Sequence, residues 1–89
     1  MKEITIIQTR FRIVGETKVK EITGTIDYLK QYFSYTLDCG RSWQYEKGNQ
    51  KVPEDDKIKS GKSLVRALNI AEANRSRSYQ GTYYELKEA

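Results

Sequence analysis

Residues 3–14, EITIIQTRFRIV, open on a β-branched run and then alternate apolar and polar side chains. A period of two is the signature of a strand with one buried face, and the rest of the chain must be built around it. Ile7, Thr9, Phe11 and Ile13 fall on one face, and Gln8, Arg10 and Arg12 on the other. The expectation is a strand that buries the Ile7 face and exposes a basic one. Gly15-Glu16 supplies a turn, and residues 19–23 return as a second strand.

The period then changes. Thr25 reads as an N-cap, Asp27 suits the positive end of a helix dipole, and Ile26, Leu29 and Phe33 follow at helical spacing. This predicts a short amphipathic helix ending near Phe33. SYTLD reads as a strand, Cys39-Gly40 as a turn and RSWQY as the returning partner, with Tyr35 and Leu37 on one face and Trp43 opposite Ser42 and Gln44. Residues 46–57, EKGNQKVPEDDK, hold the only proline and form the clearest loop. Ser60 or Asp56 can cap a longer helix to Asn74, burying Leu64, Val65, Leu68 and Ala71 with Ala67 or Ile70 alongside. Gly81 punctuates, and TYYELK closes as a strand. The order β-β-α-β-β-α-β predicts an α+β fold: one domain over residues 1–89, with a mostly antiparallel sheet of about five strands and two helices on one face. The first and last strands are placed as a central pair, and the uncovered face is expected to carry Arg10, Arg12 and several tyrosines.

Composition narrows the chemistry. The chain has 89 residues, 37% apolar and 31% charged, which suits one modest core. One cysteine excludes an intrachain disulfide and a multi-cysteine zinc site, and fits a reducing compartment. The apolar stretch in MKEITIIQTRF is short and flanked by charge, so neither a signal peptide nor a membrane span is expected. The expected location is cytoplasmic, which makes the Asn74-Arg75-Ser76 sequon accidental. A net charge of +4, from 16 basic and 12 acidic residues, mildly favours anionic partners.

No motif amounts to a catalytic centre. Gly61-Lys62-Ser63 resembles the end of a phosphate-binding loop, but the position of the first glycine is Asp56, whose charge repels phosphate. A helix start with Lys62 nearby still offers a place for an anion. The chain has no histidine, so Cys39 has no imidazole partner and no serine triad can form. Glu54-Asp55-Asp56 lacks the alternating spacing of a calcium loop. No cofactor and no metal site is expected. What remains is arginine interleaved with aromatic residues. Arginine grips phosphate with two parallel hydrogen bonds, and tyrosine or tryptophan stacks on a base. The candidate ligand residues are Arg10, Arg12, Arg41, Trp43, Lys62, Arg66, Arg75, Arg77, Tyr79 and Tyr83, with Arg75 and Arg77 for phosphate and Trp43, Tyr79 or Tyr83 for a base.

The segments IDYLKQYFSYTLDCGRSW, KSLVRALN and YQGTYYEL resemble a group of short accessory proteins of phages and prophages of Gram-positive bacteria. The resemblance covers most of the chain and implies a viral origin, with no residue assignments. Small accessory phage proteins of this size often act by binding: sequestering a host immune signal, blocking a host enzyme or contacting nucleic acid. The function expected here is non-enzymatic: sequestering a nucleotide immune signal of host antiviral defence. The first alternative is an inhibitor that docks on a host defence protein through aromatic side chains. The second is a small RelE-like RNase, from which this chain departs by beginning with strands. A homo-oligomer is expected, because so small a chain makes a deep pocket most readily between subunits.

Overall fold

The computed structural model describes residues 2–11, 15–75 and 81–87. Arg12, Arg77, Tyr79 and the expected strand position Ile13 lie outside the described residues. The fold is α+β. Strand β1 (Ile4–Arg10) lies between β2 (Lys18–Gly24) and β3 (Thr82–Lys87), antiparallel to both. The first and last strands do pair, and β1 is central. Three α-helices follow the first hairpin: α1 (Ile26–Tyr32), α2 (Ser34–Ser42) and α3 (Gly61–Arg75), with a single 3-10 turn at Asp55–Lys57 inside the predicted loop. Among the described residues there are thus three strands and three α-helices, not five strands and two helices.

The predicted hairpin over residues 34–45 is helix α2 through Ser42. Phe33, Leu37 and Gly40 are all buried at helical spacing, and Tyr35 points to solvent. In a strand Tyr35 and Leu37 would share a face; in a helix two positions turn them to opposite sides. Gly40 is a contact rather than a turn. A Cβ there would collide with the Cβ and Cα of Ala71 on α3, so the two helices meet backbone to backbone.

The strand faces are also reversed from the expectation. Ile6 aligns with Ile22 and Leu86, and Gln8 with Lys20 and Tyr84, and this is the face packed against the helices. Ile4, Ile6 and Ile7 are all apolar, so the alternation starts ambiguously, and a shift of one residue inverts every side chain. The core gathers Ile6, Leu29, Phe33, Leu37, Val52, Ile58, Leu64, Leu68 and Tyr84. On the other face Thr5 and Thr23 share a hydroxyl hydrogen bond of 2.8 Å, and Lys87 pairs with Glu21 at 3.0 Å. Phe11 stacks on Tyr83 there at 5.6 Å.

The predicted helix starts hold. Thr25 Oγ1 accepts the Tyr28 N–H at 3.2 Å, and α1 ends at Phe33. Ser60 and Ser63 cap α3 reciprocally: the Ser63 N–H donates to Ser60 Oγ at 3.2 Å, and the Ser60 N–H to Ser63 Oγ at 3.0 Å. Leu64, Ala67, Leu68 and Ala71 form its buried stripe, with Val65 and Ile70 partly covered.

Candidate functional site

Helix α3 is pinned on two sides by asparagine amides. Asn69 donates to the carbonyl of Tyr84 at 3.0 Å and accepts its N–H at 2.8 Å, which ties α3 to β3. Asn74 donates to the carbonyls of Gly40 at 3.2 Å and Gln50 at 2.8 Å, and accepts the Gln50 N–H at 3.2 Å. Each amide pairs with a backbone residue as a neighbouring strand would. Asparagine is a poor interior helix residue because its side chain competes for backbone groups. Here that competition is directed outward, onto β3 and onto the loop after α2.

The loop is held in a defined shape. The Glu46 N–H donates to the Trp43 carbonyl at 3.2 Å, the Asn49 N–H to the Glu46 carbonyl at 3.0 Å, and the Asn49 side chain returns to the Trp43 carbonyl. Gly48 takes φ 86°, a conformation that favours glycine. Gln44 Oε1 accepts the Val52 N–H at 3.2 Å. Between this loop and α3 lies an open cleft of about 590 Å³. Gly48, Asn49 and Gln50 form one wall, and Arg66, Asn69, Ile70, Ala73 and Asn74 form the other. Arg66 is the only ionisable side chain among these residues. Its guanidinium makes no hydrogen bond or ion pair among the described residues. Lys62 stands one turn earlier on the same stripe of α3 and is exposed.

The other sequence candidates separate. Arg41 donates to Asp55 at 2.7 Å, to the Pro53 carbonyl at 2.8 Å and to Asp38 at 3.4 Å, so its fork clasps α2 to the 53–55 segment. Arg75 is paired with Glu72 at 2.9 Å. Arg10 is exposed at the end of β1, on the helix-facing parity, where its charge reaches the Tyr84 hydroxyl. Trp43 is 50% exposed at the C-cap of α2, and Tyr83 stacks on the sheet face away from the helices. Of the seven candidates among the described residues, the cleft takes Arg66, with Lys62 beside it along the helix.

Sequence reasoning passed over Asn49, Gln50, Asn69, Ile70 and Asn74. The available signal was two asparagines inside a predicted helix, where propensity alone gives no reason for them. Chemically the cleft offers one cation with no partner among the described residues, the side-chain amides of Asn49 and Gln50, and apolar surface at Ile70 and Ala73, while the Asn69 and Asn74 amides are taken by backbone groups. That is a set for holding a flat polar body with a negative end. Among the described residues no group of three His, Cys, Asp or Glu side chains lies close enough to hold a metal ion. Among the same residues no helix is long and apolar enough to cross a membrane. No known protein family, curated protein or solved structure matches this chain.

Proposed function

We propose that this chain is a non-enzymatic binding protein for an anionic small molecule, most concretely a nucleotide, held in the cleft between α3 and the loop at Gly48–Gln50. The observation that carries this reading is the guanidinium of Arg66, which has no partner among the described residues, in a cleft whose other wall is Gly48, Asn49 and Gln50. A free guanidinium gives a phosphate two charge-assisted hydrogen bonds. Lys62, one turn away, adds to the positive field, and the amides of Asn49 and Gln50 offer a base both donors and acceptors. The resemblance to phage accessory proteins supplies the context, with the ligand a nucleotide signal of host defence that is sequestered intact.

The test is native mass spectrometry of the purified chain with a panel of cyclic and linear nucleotides. A mass gain returned intact on denaturation supports sequestration. Arg66→Ala should weaken that binding by ~10-fold or more, since hydrogen bonds to a charged group are worth ~1.5–3 kcal/mol. Its thermal midpoint should stay unchanged, because Arg66 makes no hydrogen bond or ion pair among the described residues. Unchanged affinity in Arg66→Ala removes the cleft as the site, and a cleaved nucleotide removes the non-enzymatic reading.

A second reading is favoured by a different observation. Tyr28, Tyr32, Tyr35, Trp43 and Tyr45, all on α1, α2 or the loop after it, are between 44% and 87% exposed. Tyrosine and tryptophan are the residues that dominate protein interfaces, and these exposed rings would serve an inhibitor of a host defence protein.

A further inference from the structure

Strand β2 pairs with β1 on one side and, among the described residues, with nothing on the other. Alternate residues of such a strand turn their N–H and C=O groups outward, where only water or another strand can satisfy them. Lys18, Val19, Lys20 and Glu21 are all exposed, and Val19 shows 63% of its surface. Helix α1 follows through Thr25 and runs back along β2. The Tyr28 ring fills the space that a Cβ at Gly24 would need, and Lys20 Nζ donates to the Tyr32 hydroxyl at 3.0 Å. The same ammonium lies 5.8 Å from the Tyr32 ring centroid. Two half-uncovered rings therefore track the helix-facing side of an open strand edge.

We propose that the outer edge of β2, with Tyr28 and Tyr32 beside it, docks an extended acidic segment of a partner protein, which adds as a fourth strand. This rests on the reading of exposed aromatics as a protein-binding surface, is independent of the cleft, and names the partner's chemistry. The argument is charge complementarity. On the helix-facing side β2 presents Lys18 and Lys20; its acid, Glu21, is on the opposite face and paired with Lys87. The nearest carboxylate from α1 is Asp27, in its first turn, at the Gly24 end of the strand. A second copy is the wrong occupant: two-fold edge pairing brings same-face residues together, setting Lys18 and Lys20 against each other or against Ile22. Lysines on an edge repel a like strand and attract an acidic one. A nucleic-acid strand would leave the outward peptide groups unmatched, and Tyr28 and Tyr32 are tilted by 39° against each other rather than forming one platform.

The test is an amide-resolved NMR titration with three probes: a β-prone peptide with glutamate at alternate positions, the same peptide with lysine there, and an oligothymidine of similar length. The expected result is saturable shifts at the β2 amides and the Tyr28 and Tyr32 rings with the acidic peptide alone. Amide exchange should slow at alternate β2 positions, which a merely electrostatic contact would not produce. The exposed double variant Lys18→Glu with Lys20→Glu should weaken the acidic peptide ~10-fold or more and gain affinity for the basic one. Shifts confined to Tyr35, Trp43 and Tyr45 would overturn strand addition while leaving the protein-binding reading of the exposed rings standing. Equal response to oligothymidine, or no response to the acidic peptide, would overturn the proposal.

Discussion

Asn74 shows how one side chain sets the position of a loop. Its amide bonds three backbone groups that β-pairing or helix bonding would otherwise have to satisfy. Asn74→Ala should lower stability by ~2–3 kcal/mol, read as the urea midpoint, and speed amide exchange at Gln50. Tyr84 shows a second kind of residue effect. Burial first of all, with the negative charge of Glu72 adding to it, holds its phenol above the ordinary value of 10.0, while the bond from Gln8, the Thr36 side chain and the charge of Arg10 pull the other way. The folded chain therefore keeps this proton at a pH where the unfolded chain has released it. The resulting stability is complete below about pH 10 and is lost as pH rises above it. Denaturant midpoints measured from about pH 8 to about pH 11 should fall at the alkaline end. Tyr84→Phe should flatten that fall, from a lower starting value because the bond from Gln8 at 3.2 Å goes with the hydroxyl.

At the scale of elements, α1 and α3 were legible and α2 was not. Thr25 and Ser60 stand where caps belong, and Leu29 with Phe33, and Leu64 with Leu68, repeat at helical spacing. Segment 34–42 carries Tyr, Thr and Cys, which favour strands locally, and a glycine that reads as a turn. What makes it helical is its fit to α3: Gly40 admits Ala71 at backbone distance. This leads to a sharp expectation for Gly40→Ala. Alanine is the better helix former by ~1 kcal/mol, yet the collision should outweigh it and destabilise by ~1–3 kcal/mol. Thermal denaturation of the variant checks this. Adding Ala71→Gly should give little rescue, because the Ala71 Cα also lies inside contact distance.

At the scale of the whole molecule, β3 closes the structure over a long sequence distance. It brings Tyr84 edge-on to Phe33 at 5.4 Å and supplies the third strand of the sheet. A two-stranded hairpin is marginal in water, and without β3 the core loses Tyr84 and the Leu86 side chain packed against it. A chain ending before Thr82 should lose its cooperative thermal transition by circular dichroism, rather than unfold at a lower midpoint.

The same long-range pairing explains where sequence reading stopped. Local periodicity was enough for the α+β class, for β1, β2 and β3 as strands, for two helices and for Arg66 as a candidate cation, because each rests on neighbours in the chain. The face of β1 that is buried, the helical state of residues 34–42 and the partition of the arginines were decided only in three dimensions. Arg41 is consumed by Asp38, Asp55 and the Pro53 carbonyl, Arg75 by Glu72, and Arg66 by nothing among the described residues. A guanidinium becomes a site or a clasp according to which carboxylate the fold brings within ~4 Å of it, and that distance is a property of packing, not of the order of residues.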